Sequence, residues 1–137
     1  MMNYQLMIDK SSMFNTPPVF SIYVSLLTMR WLKNLGGIKA IDEINKTKAI
    51  VMYSEIDLNP LFKGFAAVED RSTMNATFNL TNSDLKDTFE LMLKEAGIEG
   101  VNGHRSVGGY RASMYNALSL DSVKVLVEVM SELETKA

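Results

Sequence analysis

From Thr73 to Leu80 the chain alternates: Met74, Ala76, Phe78 and Leu80 are apolar, while Thr73, Asn75, Thr77 and Asn79 are polar. A period of two is the repeat of a β-strand, whose successive side chains point to opposite faces. This segment therefore demands a core on one side and solvent or a partner on the other. A strand of that kind is stable only within a sheet whose apolar face is covered by a second layer. Tyr110 to Tyr115 repeats the pattern, with Arg111, Ser113 and Tyr115 on one face and Tyr110, Ala112 and Met114 on the other. Leu61 to Ala67 reads as a short edge strand.

The covering layer is predicted from helical periods. Thr16 is placed to cap a helix with Pro17 at its first position, where a missing N–H costs nothing. Val19, Ile22, Tyr23, Leu26 and Met29 follow as one stripe, and Gly36-Gly37 provides the stop. A second helix is expected from about Ile38 to Asp57, its stripe of Ile41, Ile44, Val51, Met52 and Ile56 broken by Lys48, and Asn59-Pro60 ends it. Thr81-Asn82-Ser83 supplies caps for a third helix that buries Leu85, Phe89, Met92, Leu93 and Ala96 and stops at Gly97. A last helix is capped by Ser119 and buries Val123, Leu126, Val127, Met130 and Leu133. Residues 1–13 show no period and read as extended.

The predicted fold class is α/β in an α+β arrangement, with two N-terminal helices followed by a small, mostly antiparallel sheet carrying helices on one face. The expected organisation is an extended lead-in over 1–16, a helical segment over 17–58 and a small α/β domain over 59–137. Tyr23 and Trp31 offer large apolar surfaces for so small a core, so the helical pair is expected to pack against more protein than the chain contains.

Composition removes several classes of function. The 14 basic and 16 acidic residues are spread along the chain, leaving no electrostatic footprint for nucleic acid or an anionic membrane. Without cysteine there is no disulfide or zinc-thiolate chemistry, and one histidine is too few for a histidine-rich site, so no metal is expected. A membrane span needs roughly 20 apolar residues. The longest candidate, Val19 to Leu32, is shorter and contains Arg30; Asp9 and Lys10 interrupt any signal-peptide pattern. These features suit a cytoplasmic protein. Most of the ten methionines fall where an apolar residue would be core anyway.

What remains is anion chemistry. Residues 100–109 hold four glycines together with His104 and Arg105, and Arg111 follows on the strand. Arginine presents a planar fork matching carboxylate or phosphate oxygens, and glycine lets a ligand approach the backbone. His104 would add a hydrogen bond and, when protonated, a charge. The plainer reading is a glycine-rich turn with surface arginines. Asn15 and Thr16 also have two readings, a helix cap or a phosphate site at a helix start, and Pro17 and Pro18 weaken the second by removing two N–H groups. Lys10, Lys63 and the acidic run from Glu132 to Glu134 read as solvated. No paired carboxylates, Ser-His-Asp set or Walker motif rises above chance.

Two runs narrow these alternatives: Ser12-Met13-Phe14-Asn15-Thr16-Pro17-Pro18 and Gly103-His104-Arg105-Ser106-Val107-Gly108-Gly109-Tyr110-Arg111-Ala112-Ser113. Both resemble the phosphoserine aminotransferases, class V enzymes of the fold type I group. Trp31-Leu32-Lys33, Gly36-Gly37, Glu69-Asp70-Arg71-Ser72, Met74-Asn75 and Tyr115-Asn116-Ala117 extend the resemblance over nearly the whole chain. It implies the C-terminal part of a pyridoxal-phosphate enzyme that moves an amino group between phosphoserine and 2-oxoglutarate, giving 3-phosphohydroxypyruvate and glutamate in serine biosynthesis. It also implies a homodimer, with Asn15 and Thr16 binding the cofactor phosphate in the neighbouring subunit. Arg111 would hold the substrate α-carboxylate, and His104 and Arg105 the phosphate or the side-chain carboxylate of glutamate. Phe14 stands where the family often has tyrosine. The cofactor-bearing lysine belongs to the family's large domain, N-terminal to these residues, so no catalytic residue is expected here and the chain alone should be inactive. The alternative is a stand-alone anion-binding or oligomerisation module without chemistry.

Overall fold

The computed structural model describes residues 3–105 and 108–137, so Met1, Met2, Ser106 and Val107 lie outside the described residues. The chain divides into two compact units, Met1–Ala40 and Ile41–Ala137.

The first unit holds α1 (Tyr4–Asp9), α2 (Val19–Asn34) and the start of α3 (Gly37–Leu58). Where an extended lead-in was expected, α1 is helical. No residue of it is buried, so it leaves no apolar period to read; its support is local. Asn3 accepts from the Leu6 N–H and Gln5 donates to Asp9 at 2.8 Å.

The start of α2 also differs from expectation. Thr16 does not cap it, and Pro18 occupies the cap position without a side-chain bond. Proline disfavours helical geometry in the residue before it, so Pro18 keeps Pro17 out of the helix and Pro17 does the same to Thr16. The first amides bond to backbone instead, Val19 N–H to the Pro17 carbonyl at 2.8 Å and Ile22 N–H to that of Pro18 at 3.1 Å. No α2 residue is buried, and Phe20 is 80% exposed.

The second unit contains the rest of α3, β1 (Phe62–Gly64), β2 (Asn75–Leu80), α4 (Lys86–Glu95), β3 (Tyr110–Ser113) and α5 (Leu120–Lys136). The division falls inside α3, not at 58/59, because Ile41, Asn45, Lys48, Ala49, Met52 and Ile56 are buried in this unit. Asn59 ends α3 with its amide donating to Glu55 and to the Met130 carbonyl, while its oxygen accepts from Leu61 N–H.

The three strands form an antiparallel sheet in the order β1-β2-β3. Phe62 pairs with Leu80, Gly64 with Phe78, Ala76 with Ala112 and Phe78 with Tyr110, so these residues share one face. That face meets α3, α4 and α5 in a single core, where Phe62, Phe78, Phe89 and Tyr110 pack ring against ring at 5.0–5.7 Å. The helices thus lie on one side of the sheet, as the alternation required. On α5, Val129 is fully buried and Val127 only partly, a small shift from the expected stripe.

Lys48 does not break the α3 stripe. It is fully buried, and its ammonium donates to the carbonyls of Met114 (3.0 Å), Tyr115 (2.8 Å) and Leu118 (3.1 Å). Burial pushes its pKa below the ordinary lysine value. Near β1, Arg71 makes a two-pronged pair with Asp57, each N–O distance 2.7 Å, and stacks its guanidinium 4.6 Å from the centre of the Tyr53 ring. The hydrogen bond from Arg71 holds the Asp57 carboxyl below its usual value. Among the described residues no helix is long and apolar enough to cross a membrane.

Candidate functional site

The face of the sheet turned away from the helices carries the other half of each alternation. Lys63 pairs with Asn79, Thr77 with Arg111 and Asn75 with Ser113. Phe65 continues this face, its N–H bonded to the Thr77 carbonyl at 3.0 Å. Arg111 is exposed there, and its side chain has no hydrogen bond or ion pair among the described residues. A strand holds its backbone, and the guanidinium fork is available to a ligand.

The start of the glycine-rich segment pairs with β3. Residues 101–103 run back along β3: Asn102 bridges to Tyr110, Arg111 N–H bonds to the Val101 carbonyl at 2.6 Å, and Gly103 N–H bonds to that of Gly109 at 2.8 Å. Two glycines are required by this path. A Cβ on Gly103 would overlap the Gly108 carbonyl oxygen, and one on Gly109, whose φ is +65°, would overlap the Asn79 carboxamide oxygen. Gly108 N–H bonds to the His104 carbonyl at 2.8 Å. Ser106 and Val107 of the motif lie outside the described residues.

The folded segment borders two openings. A cavity of about 200 Å³ is lined by Arg111 and His104 with Phe65, Thr77 and Asn79. A wider cleft of about 640 Å³ is lined by His104 and Arg105 with Asn79, Ser83, Lys86 and Glu90. Arg111 and Arg105 thus occupy separate openings, with His104 bordering both. Two cationic groups apart, joined by a shared wall, suit a ligand with an anion at each end.

Tyr110 borders both openings as well, yet it is only 5% exposed, and its buried hydroxyl has no hydrogen-bond partner among the described residues. Burial, with the nearby charges of Glu90 and Asp87, pushes its pKa up to about 12. The fold therefore prefers the neutral phenol. Its stabilising contribution is fully present below the ordinary tyrosine pKa of 10 and is lost as pH rises from there towards 12. In an alkaline tyrosinate absorbance titration, Tyr110→Phe should remove the late-ionising component near pH 12 and reduce the accompanying loss of helical signal.

Asn15 and Thr16 lie in the first unit, just ahead of the two prolines, and both are exposed with no side-chain hydrogen bond among the described residues. A carboxamide N–H and a hydroxyl are suitable donors to phosphate oxygens. Since neither Pro17 nor Pro18 has an N–H, any anion held there depends on these side chains more than on helix amides.

Asn79, Thr77 and Phe65 were not picked out from the sequence as site residues. For Thr77 and Asn79 the signal was present in the polar half of the 73–80 alternation, but only the strand pairings, Thr77 with Arg111 and Phe65 beside Thr77, bring these positions to the cavity.

Comparison with known proteins supplies a family context. A family model described as aminotransferase class-V matches residues 1–126. The phosphoserine aminotransferase of Flavobacterium psychrophilum is 64% identical over 136 residues, which are 99% of this chain and 38% of that protein. A solved phosphoserine aminotransferase superposes with a TM-score of 0.86 at 45% identity, covering 98% of this chain and 38% of its own. The phosphoserine aminotransferase of Trichomonas vaginalis, solved with pyridoxal phosphate bound, gives 0.79 at 36% identity over 95% of this chain and 38% of its own. The chain spans about two fifths of the length of these relatives, 38% in each case.

Proposed function

The chain belongs to the class-V aminotransferases, and we propose that it is the C-terminal, substrate-clamping part of a phosphoserine aminotransferase that exchanges an amino group between phosphoserine and 2-oxoglutarate. The observation that carries this reading is the pair of adjoining openings, with Arg111 in one, Arg105 in the other and His104 between them. Phosphoserine and glutamate each carry an α-carboxylate and a second anion further along the side chain. Arg111 would grip the α-carboxylate through its fork, while His104 and Arg105 would hold the phosphate or the distal carboxylate. Holding both ends orients the reacting carbon, which is where binding energy is converted into rate.

Asn15 and Thr16 would hold the phosphate of pyridoxal phosphate through side-chain donors, across the interface of a homodimer. The cofactor, when bound, supplies the carbonyl that accepts the amino group and the ring that takes up electron density. The apolar surface of α2, with no buried residue, is available for packing against the remainder of the enzyme or its second copy. The substrates are soluble metabolites, and the working location in this reading is the cytoplasm.

The test is an assay of the complete polypeptide. With pyridoxal phosphate, phosphoserine and 2-oxoglutarate it should form glutamate, while the 137 residues alone should form none. Glutamate formation by the 137 residues alone, or none by the complete polypeptide, would overturn the reading.

A further inference from the structure

The two openings share Gly103, His104, Gly108 and Tyr110 as walls, and Asn79 borders both of them. It stands on the central strand β2, half-buried, on the face turned away from the helices and opposite Lys63. Its carboxamide oxygen lies against Gly109, at the point where a Cβ would otherwise be. The amide nitrogen, on the other branch of the same planar group, makes no hydrogen bond among the described residues. A donor on a central strand, with its oxygen side fixed by close packing, presents its N–H without the entropy cost of a long side chain.

Resting on the reading above, we infer that Asn79 is a substrate-binding residue for the distal anionic group. Its amide N–H donates to a phosphate or carboxylate oxygen between the cavity of Arg111 and the cleft of Arg105. Asn79 thereby sets the spacing between the two ends of the ligand and favours a substrate carrying an anion at that distance.

The complete enzyme with Asn79→Asp tests this, because aspartate keeps the size and replaces the donor by a negative acceptor. The KM for phosphoserine should rise about 10- to 100-fold, the usual effect of losing a hydrogen bond to a charged group, with a smaller rise for glutamate, whose distal charge is lower. Since the Asn79 side chain makes no hydrogen bond among the described residues, the unfolding midpoint should stay near the parent value. Asn79→Gln, with the donor restored on a longer stem, should recover much of the phosphoserine KM. A phosphoserine KM within twofold of the parent in Asn79→Asp, or an equal loss for both substrates together with a lowered unfolding midpoint, would overturn the inference. Both of those results leave the parent active on phosphoserine. A parent enzyme that forms no glutamate from phosphoserine would instead remove the underlying reading, and this inference with it.

Discussion

In the complete enzyme, Arg111→Gln should lower kcat/KM for phosphoserine about 10²- to 10³-fold, the effect of removing one partner from a desolvated ion pair. The carboxylate would enter the cavity, lose its water and find a single neutral donor where a charged fork had been. Arg111→Lys should recover only part of the loss. A lysine keeps the charge but presents one ammonium where two parallel N–H groups are required. Neither variant should shift the unfolding midpoint appreciably. Arg111 is exposed and makes no side-chain bond among the described residues, and surface changes of that kind are usually worth within about 0.5 kcal/mol. A fall in activity accompanied by an equal loss for substrates lacking an α-carboxylate, or by a lower midpoint, would assign Arg111 a structural role instead.

The prediction depends on which way Arg111 faces, and that much was legible in the sequence. The alternation from Tyr110 to Tyr115 placed Arg111 opposite the core, and in the sheet Tyr110, Ala112 and Met114 are buried while Arg111 is exposed. The same rule placed Ala76 and Phe78 inward on β2. Period-two patterns are readable because each residue reports its own face without reference to distant partners. The register between strands is a different matter. That Thr77 lies opposite Arg111, or that Asn79 approaches Gly109, follows from pairings across 30 or more residues that no local pattern encodes.

Errors at the N-terminal end have a related cause. The period of α1 is invisible because nothing buries it, and the Thr16-Pro17-Pro18 run was read as a cap followed by a helical proline when two adjacent prolines push the start to Val19. The moved boundary has a functional side. With Thr16 released from capping, its hydroxyl remains available alongside the Asn15 amide, the arrangement the cofactor-phosphate proposal requires.

Lys48 is the residue whose role the sequence concealed most fully, and its replacement should have the largest effect on stability. A lysine in an apolar helical stripe reads as an interruption, because its three acceptors lie 66 to 70 residues further along the chain. Lys48→Met should destabilise the chain by about 2–4 kcal/mol in denaturant unfolding, the cost expected when buried carbonyls lose a charged donor. Methionine fills similar space, so no large cavity adds to the loss. Two effects limit the magnitude. The Tyr115 carbonyl keeps a bond from Leu118 N–H at 2.9 Å, and removing an ammonium relieves the cost of burying a charge that faces only neutral oxygens. The carbonyls of Met114 and Leu118 would carry most of the penalty. All three acceptors belong to the segment that leaves β3 and leads into α5, and Arg111 lies only three residues before the first of them. Loosening that segment should therefore raise the KM of the complete enzyme for phosphoserine as well, although less than Arg111→Gln does. An unchanged unfolding midpoint in Lys48→Met would mean that relief of charge burial equals the three lost bonds, and that the segment after β3 is held by its own turn and not by α3.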